Sequence, residues 1–129
     1  MRDIQNIEAL AAAAIETACK DYVRALKQLN VNGICIYDVL QAKKDAINKN
    51  YQDKLDKHTD YIVLINSRCN ELGLLYSSYS KYYKALEEKQ SCEDFFLGDV
   101  FLFYAGLCNL NVSGEEIIKA LYQKVFGKR

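Results

Sequence analysis

Residues able to do chemistry are few in this chain, and they are scattered. His58 is the only histidine, so any catalytic triad or imidazole metal site has to use it. It lies in a Lys- and Asp-rich stretch with no nucleophile in the same motif, and it reads as a boundary or surface histidine. The five cysteines, Cys19, Cys35, Cys69, Cys92 and Cys108, are odd in number. They lack CxxC pairs, and their long irregular intervals are not those of a zinc finger or knuckle. Cys19 and Cys69 fall on apolar faces and read as small buried hydrophobes. The acidic pairs Asp53/Asp56, Glu87/Glu88, Glu93/Asp94 and Glu115/Glu116 could supply general acids and bases. Two of them stand at expected helix starts, where an acid complements the helix dipole without doing chemistry. There is no Glu-x-x-His motif of a di-iron bundle and no glycine-rich phosphate loop. The expectation is a non-enzymatic protein without metal or cofactor.

One segment stands apart by composition. Tyr76-Ser77-Ser78-Tyr79-Ser80-Lys81-Tyr82-Tyr83 holds four Tyr and three Ser in eight positions. Tyrosine offers a large rigid contact area with a hydrogen-bonding tip at low entropic cost, and serine keeps the surface adaptable, a composition shared with many binding surfaces. The partner-binding residues expected on this basis are Tyr76, Tyr79, Tyr82 and Tyr83, with Ser78 and Lys81. The competing reading makes Tyr76, Tyr79 and Tyr83 the continuation of a core seam, and Tyr82 is the residue that reading explains least. A further alternative is a nucleotide site, with Lys20, Arg24, Lys81 and Lys84 as phosphate contacts.

These residues must be positioned by helices. From Asp3 to Leu29, apolar residues recur at three- and four-residue steps through Ile7, Ile15, Tyr22 and Leu26, predicting a first helix that stops at Asn30-Val31-Asn32-Gly33. Ile36, Leu40, Ile47, Tyr51 and Leu55 predict a second, heavily charged helix, with a break near His58 and a cap from Thr59 and Asp60. Ile62, Ile65, Cys69, Leu72, Tyr76, Tyr79, Tyr83 and Leu86 form a heptad seam widened by Tyr61, Leu64, Leu75 and Tyr82. A single helix from Asp60 to Lys89 would run about 45 Å, long enough to project from the domain as an arm or to form an oligomer seam. A boundary is expected at Ser91 to Asp94. After it comes a Phe-rich core helix through Phe95, Phe96, Val100, Phe101, Phe103 and Tyr104. A last helix is expected to be capped by the box Ser113-Gly114-Glu115-Glu116.

The chain has 129 residues, no proline and no tryptophan, and its 17 basic and 17 acidic residues cancel. That length suits a single domain of 1–129. The missing turn chemistry points to an all-α bundle of about five helices with a long central helix or hairpin arm of coiled-coil-like character. The balanced charge argues against duplex DNA as partner. No apolar stretch approaches a membrane span, the first six residues are mostly polar or charged, and unpaired cysteines suit a reducing compartment, so a cytoplasmic location and no membrane partner are expected.

Ala12, Ala14-Ile15, Ala18, Lys20-Asp21-Tyr22 and Ala25-Leu26 near the start, with Cys92-Glu93, Phe95-Phe96, Phe101, Ser113-Gly114-Glu115 and Ile117-Ile118 near the end, resemble a family of short helical proteins of tailed phages and prophages of Gram-positive bacteria. The likeness covers under half the chain. Val100 stands where family members carry a Trp, and about 60 residues, roughly 33–90, separate the two blocks as an inserted helical hairpin on a base of 1–32 and 91–129. The resemblance implies a phage accessory protein with no catalytic residues to carry over. The function expected first is inhibition of a host defence protein, such as a CRISPR nuclease or an immune effector, through the Tyr-rich surface. Second comes an oligomeric protein that sequesters a nucleotide immune signal, and third a structural or DNA-associated phage component. A homodimer or higher oligomer is expected from the unpaired seam.

Overall fold

The computed structural model describes residues 2–57 and 60–127, with side chains from residue 6 onward. The described residues form six helices: α1 (Arg2–Leu29), α2 (Ile36–Leu55), α3 (Tyr61–Ser78), α4 (Tyr83–Phe96), α5 (Asp99–Leu107) and α6 (Gly114–Phe126). The protein is all-α, as the composition implies. His58 and Thr59 lie outside the described residues, and Asp60 alone is seen capping α3, accepting from the Val63 amide.

Asn30–Val31 and Ile34–Cys35 pair as two antiparallel two-residue strands, β1 and β2. Asn32 and Gly33, both at positive φ, make the tight turn between them, and the Asn30 Oδ1 accepts from the Gly33 amide at 2.8 Å. Two central residues with positive φ match the twist of a hairpin. This turn reverses the chain between α1 and α2.

The base is built from α1, α4, α5 and α6, with α1 packed against the other three. Its core joins Ile15, Tyr22 and Leu26 of α1 to Cys92 and Phe96 of α4 and Phe101 and Ala105 of α5, with Ile117, Leu121 and Val125 of α6 against them. Ser113 and Glu116 form the expected capping box at the start of α6. Gly114 is buried where the end of α4 touches the first turn of α6, and a Cβ there would sit 1.8 Å from the Phe96 carbonyl oxygen.

The arm is the antiparallel pair α2 and α3, which pack on one another. Several expectations about it are corrected. The predicted rod from Asp60 to Lys89 is not continuous: α3 ends at Ser78, a 3₁₀ turn spans Ser80–Tyr82, and α4 begins at Tyr83. The Ser78 hydroxyl donates to the Leu74 carbonyl at 3.0 Å, and such back-bonding by serine loosens the helical ladder. Each piece is shorter than the predicted rod, α3 running about 27 Å. The packed side of α3 is also displaced from the predicted seam. Leu64, Arg68, Leu72 and Leu75 are half-buried, whereas Ile62, Ile65, Cys69 and Tyr76 of the seam are exposed.

Ser91 to Asp94 marks no boundary but lies inside α4, where Cys92 faces the core; the break comes at Leu97 and Gly98. Residues 83–90 therefore belong to the base. The Phe-rich segment is core on one side only: Phe96 and Phe101 are buried, while Leu97, Val100, Leu102 and Phe103 are exposed. The described residues form six helices where about five were expected.

Candidate functional site

The tyrosine segment does not form one face. Tyr79 and Tyr82 are half-buried and pack on a second cluster formed by Leu29, Cys35, Ile36 and Ala85, their rings 6.3 Å apart. They fill the junction between arm and base. Lys43 of α2 donates to the Tyr79 hydroxyl at 2.9 Å, which ties this junction to the arm. Tyr76 and Tyr83 are exposed, as are Ser78 and Lys81. Lys44 stands over the Tyr76 ring, Lys81 over the Tyr82 ring, and the Glu87 carboxylate beside Tyr83 raises its hydroxyl pKa.

Above the junction, α3 presents an uncharged surface. Among its 18 residues only Arg68 and Glu71 are charged. Glu71 accepts from the Tyr51 hydroxyl of α2, and Arg68 is half-buried with its Nε enclosed. The helix has no fully buried residue. Ile62 is 73% exposed and Leu74 71%, with Tyr61, Val63 and Ile65 exposed beside them. Cys69 lies on this side as well, contrary to its reading as a buried hydrophobe.

A set of side chains that the sequence did not bring together fixes the arm to the base. Lys89 is 4% exposed, pairs with Glu93 at 2.7 Å and stands 3.9 Å from the Tyr37 ring centroid at the start of α2. The fully buried Tyr22 of α1 donates to the same Glu93 carboxylate at 2.6 Å. Burial, and then this carboxylate, hold the Tyr22 hydroxyl above its ordinary pKa. On the other side, Tyr122 of α6 donates to Asp38 of α2 at 2.7 Å. A buried charge is tolerated when it is paired and hydrogen-bonded, and this network satisfies Lys89 while linking three helices. The sequence holds a trace of it: Lys89 and Glu93 are four apart on one helix.

Of the four cations expected to contact phosphate, Lys20 and Arg24 share a cleft of about 510 Å³ between α1 and α6. Lys27 and Lys124 also line it, above a floor of Cys19, Val23 and Leu121. Arg24 is already committed, to Glu88 at 2.7 Å and Asp21 at 3.1 Å. Lys84 lies apart from this cleft, among Glu87, Glu88 and Gln90, and Lys81 is over Tyr82. The four therefore do not converge. Among the described residues no group of three His, Cys, Asp or Glu side chains is placed to hold a metal ion, and no helix is long and apolar enough to cross a membrane. Comparison with protein-family models, curated proteins and solved structures gives no match.

Proposed function

We propose that the protein is a non-enzymatic binding protein whose working surface is the outer side of α3. In the phage setting that the sequence resemblance implies, the partner is a host defence protein, occupied through Ile62, Ile65, Cys69 and Tyr76. The observation that carries this reading is the exposed, uncharged face of α3 on an arm whose root is pinned by Lys89–Tyr37 and Tyr122–Asp38. Contiguous exposed apolar surface is unfavourable in water, and a rim of polar residues around it is how protein interfaces are built. Asn66, Asn70 and Ser77 supply such a rim. An arm fixed at its root loses little freedom on binding, which lowers the cost of association.

Tyr79 and Tyr82 act in this account as the joint that aims the arm, while Tyr76 touches the partner. The test is phage plating on bacteria carrying a defence system. The wild-type protein raises plating efficiency on a sensitive host, and the I62D/I65D double variant, with unchanged helical circular dichroism, does not. Equal protection by both, or no protection by the wild type across hosts with distinct defence systems, contradicts the proposal.

A further inference from the structure

We infer that the cleft between α1 and α6 binds a nucleoside diphosphate or a close nucleotide analogue, independently of the arm. Its volume of about 510 Å³ falls in the range of small-molecule sites. The floor is apolar: Val23 and Cys19 of α1 and Leu121 of α6 are half-buried there, with no other described residue above them. The rim is cationic. Lys20 and Lys27 lie two turns apart on one face of α1, about 10 Å along its axis, and Lys124 faces them from α6.

Charge bookkeeping sharpens the point. Among the described residues, Lys20, Lys27 and Lys124 make no salt bridge, while Arg24, the fourth cation, is neutralised by Asp21 and Glu88. Among the described residues no acidic side chain lines the cleft, and the chain as a whole is neutral. Three uncommitted positive charges around one apolar floor in a neutral protein form a local field that attracts a polyanion. Lys27 and Lys124 also stand in the last turns of their helices, where a cation complements the dipole. That accounts for each lysine separately. It accounts for neither Lys20 in the middle of α1 nor the open apolar floor.

The floor selects for a flat apolar body and the lysines for the phosphates joined to it. A free anion would use only the rim, and an uncharged nucleoside only the floor. The test uses the whole protein and three probes: ADP, inorganic pyrophosphate and adenosine. ADP titrates by calorimetry with a stoichiometry of one per chain and raises the melting temperature. Pyrophosphate and adenosine each bind at least about tenfold more weakly. K20E and K124E each weaken ADP binding about tenfold or more while the variants stay folded, and K49A, exposed on α2 outside the cleft, leaves it unchanged. No binding of ADP at roughly 10 mM overturns the inference. So does pyrophosphate or adenosine binding as tightly as ADP, or ADP affinity insensitive to K20E and K124E.

Discussion

Lys89 is the side chain whose environment is most demanding, because it is charged, nearly enclosed, and held between the Glu93 carboxylate and the Tyr37 ring. Removing one partner of such a pair costs more than removing both, since the survivor stays buried without compensation. Lys89→Met is therefore expected to destabilise the fold by about 3 kcal/mol. K89M/E93Q should cost less, because the neutral amide still accepts from Tyr22. Chemical denaturation of the three proteins checks the order. Thiol chemistry follows burial in the same way. Cys69 is exposed, whereas Cys92 is buried and its thiol is pushed up to about 11, chiefly by burial and then by Asp21 and Glu88. A thiol titration at neutral pH should label Cys69 first and Cys92 only on unfolding. The difference between Cys69 and Cys92 was not legible in the sequence. Cys69 has Ile65 and Leu72 at helical spacing and Cys92 has Phe95 and Phe96, and only the packing angle of α3 decides that Cys69 is outside.

At the scale of elements, the sharpest constraint is the crossing of α4 onto α6. Gly114→Ala drives a methyl into the Phe96 carbonyl, and overpacking of this kind is expected to cost about 1–3 kcal/mol or more. A fall in melting temperature larger than that of Gly106→Ala, where a Cβ meets open space, checks it. The capping box at the same junction carries a pH signature. Hydrogen bonds from the Ser113 backbone and hydroxyl hold the Glu116 carboxyl below its ordinary pKa. A lowered folded-state pKa contributes stability that is complete above the usual glutamate range and disappears as pH falls through the lowered value. Glu116→Gln should remove that part of the acid dependence, read as a flatter stability profile between about pH 3 and 5.

The helices themselves were legible wherever a stripe and a cap agreed, as in α1, α6 and the Asn32-Gly33 turn. The break after Ser78 was not, because Tyr79 and Tyr83 continue the heptad spacing across it. The seam was misread for a related reason. Ile62, Ile65, Cys69 and Tyr76 do lie along one side of α3, but α2 packs on the neighbouring side through Leu64 and Leu75. Spacing alone does not say which of two apolar sides a partner helix covers. The cleft was half visible: Lys20 and Arg24 share a face of α1, but their meeting with Lys124 depends on how α6 lies across α1.

The whole molecule is a base with an arm. Ile15, Tyr22, Leu26, Phe96 and Phe101 belong to the core of the base, while α2 and α3 form the arm. Among the described residues, exposed apolar side chains lie on α3, near the start of α1, where Ile7 and Leu10 meet Phe103, around α5 at Leu97, Val100 and Leu102, and on the hairpin at Val31 and Ile34. The account assigns the partner to α3, because only there is the exposed surface carried on a projecting, nearly uncharged helix. The direct measurement is photo-crosslinking in a defence-bearing host, with the crosslinking amino acid placed at Ile65 or, as control, at the exposed Lys119 of α6. The account predicts an adduct with a host protein from position 65 and none from position 119. An adduct only with a second copy of this chain, equal adducts from both positions, or no adduct from position 65 would contradict it.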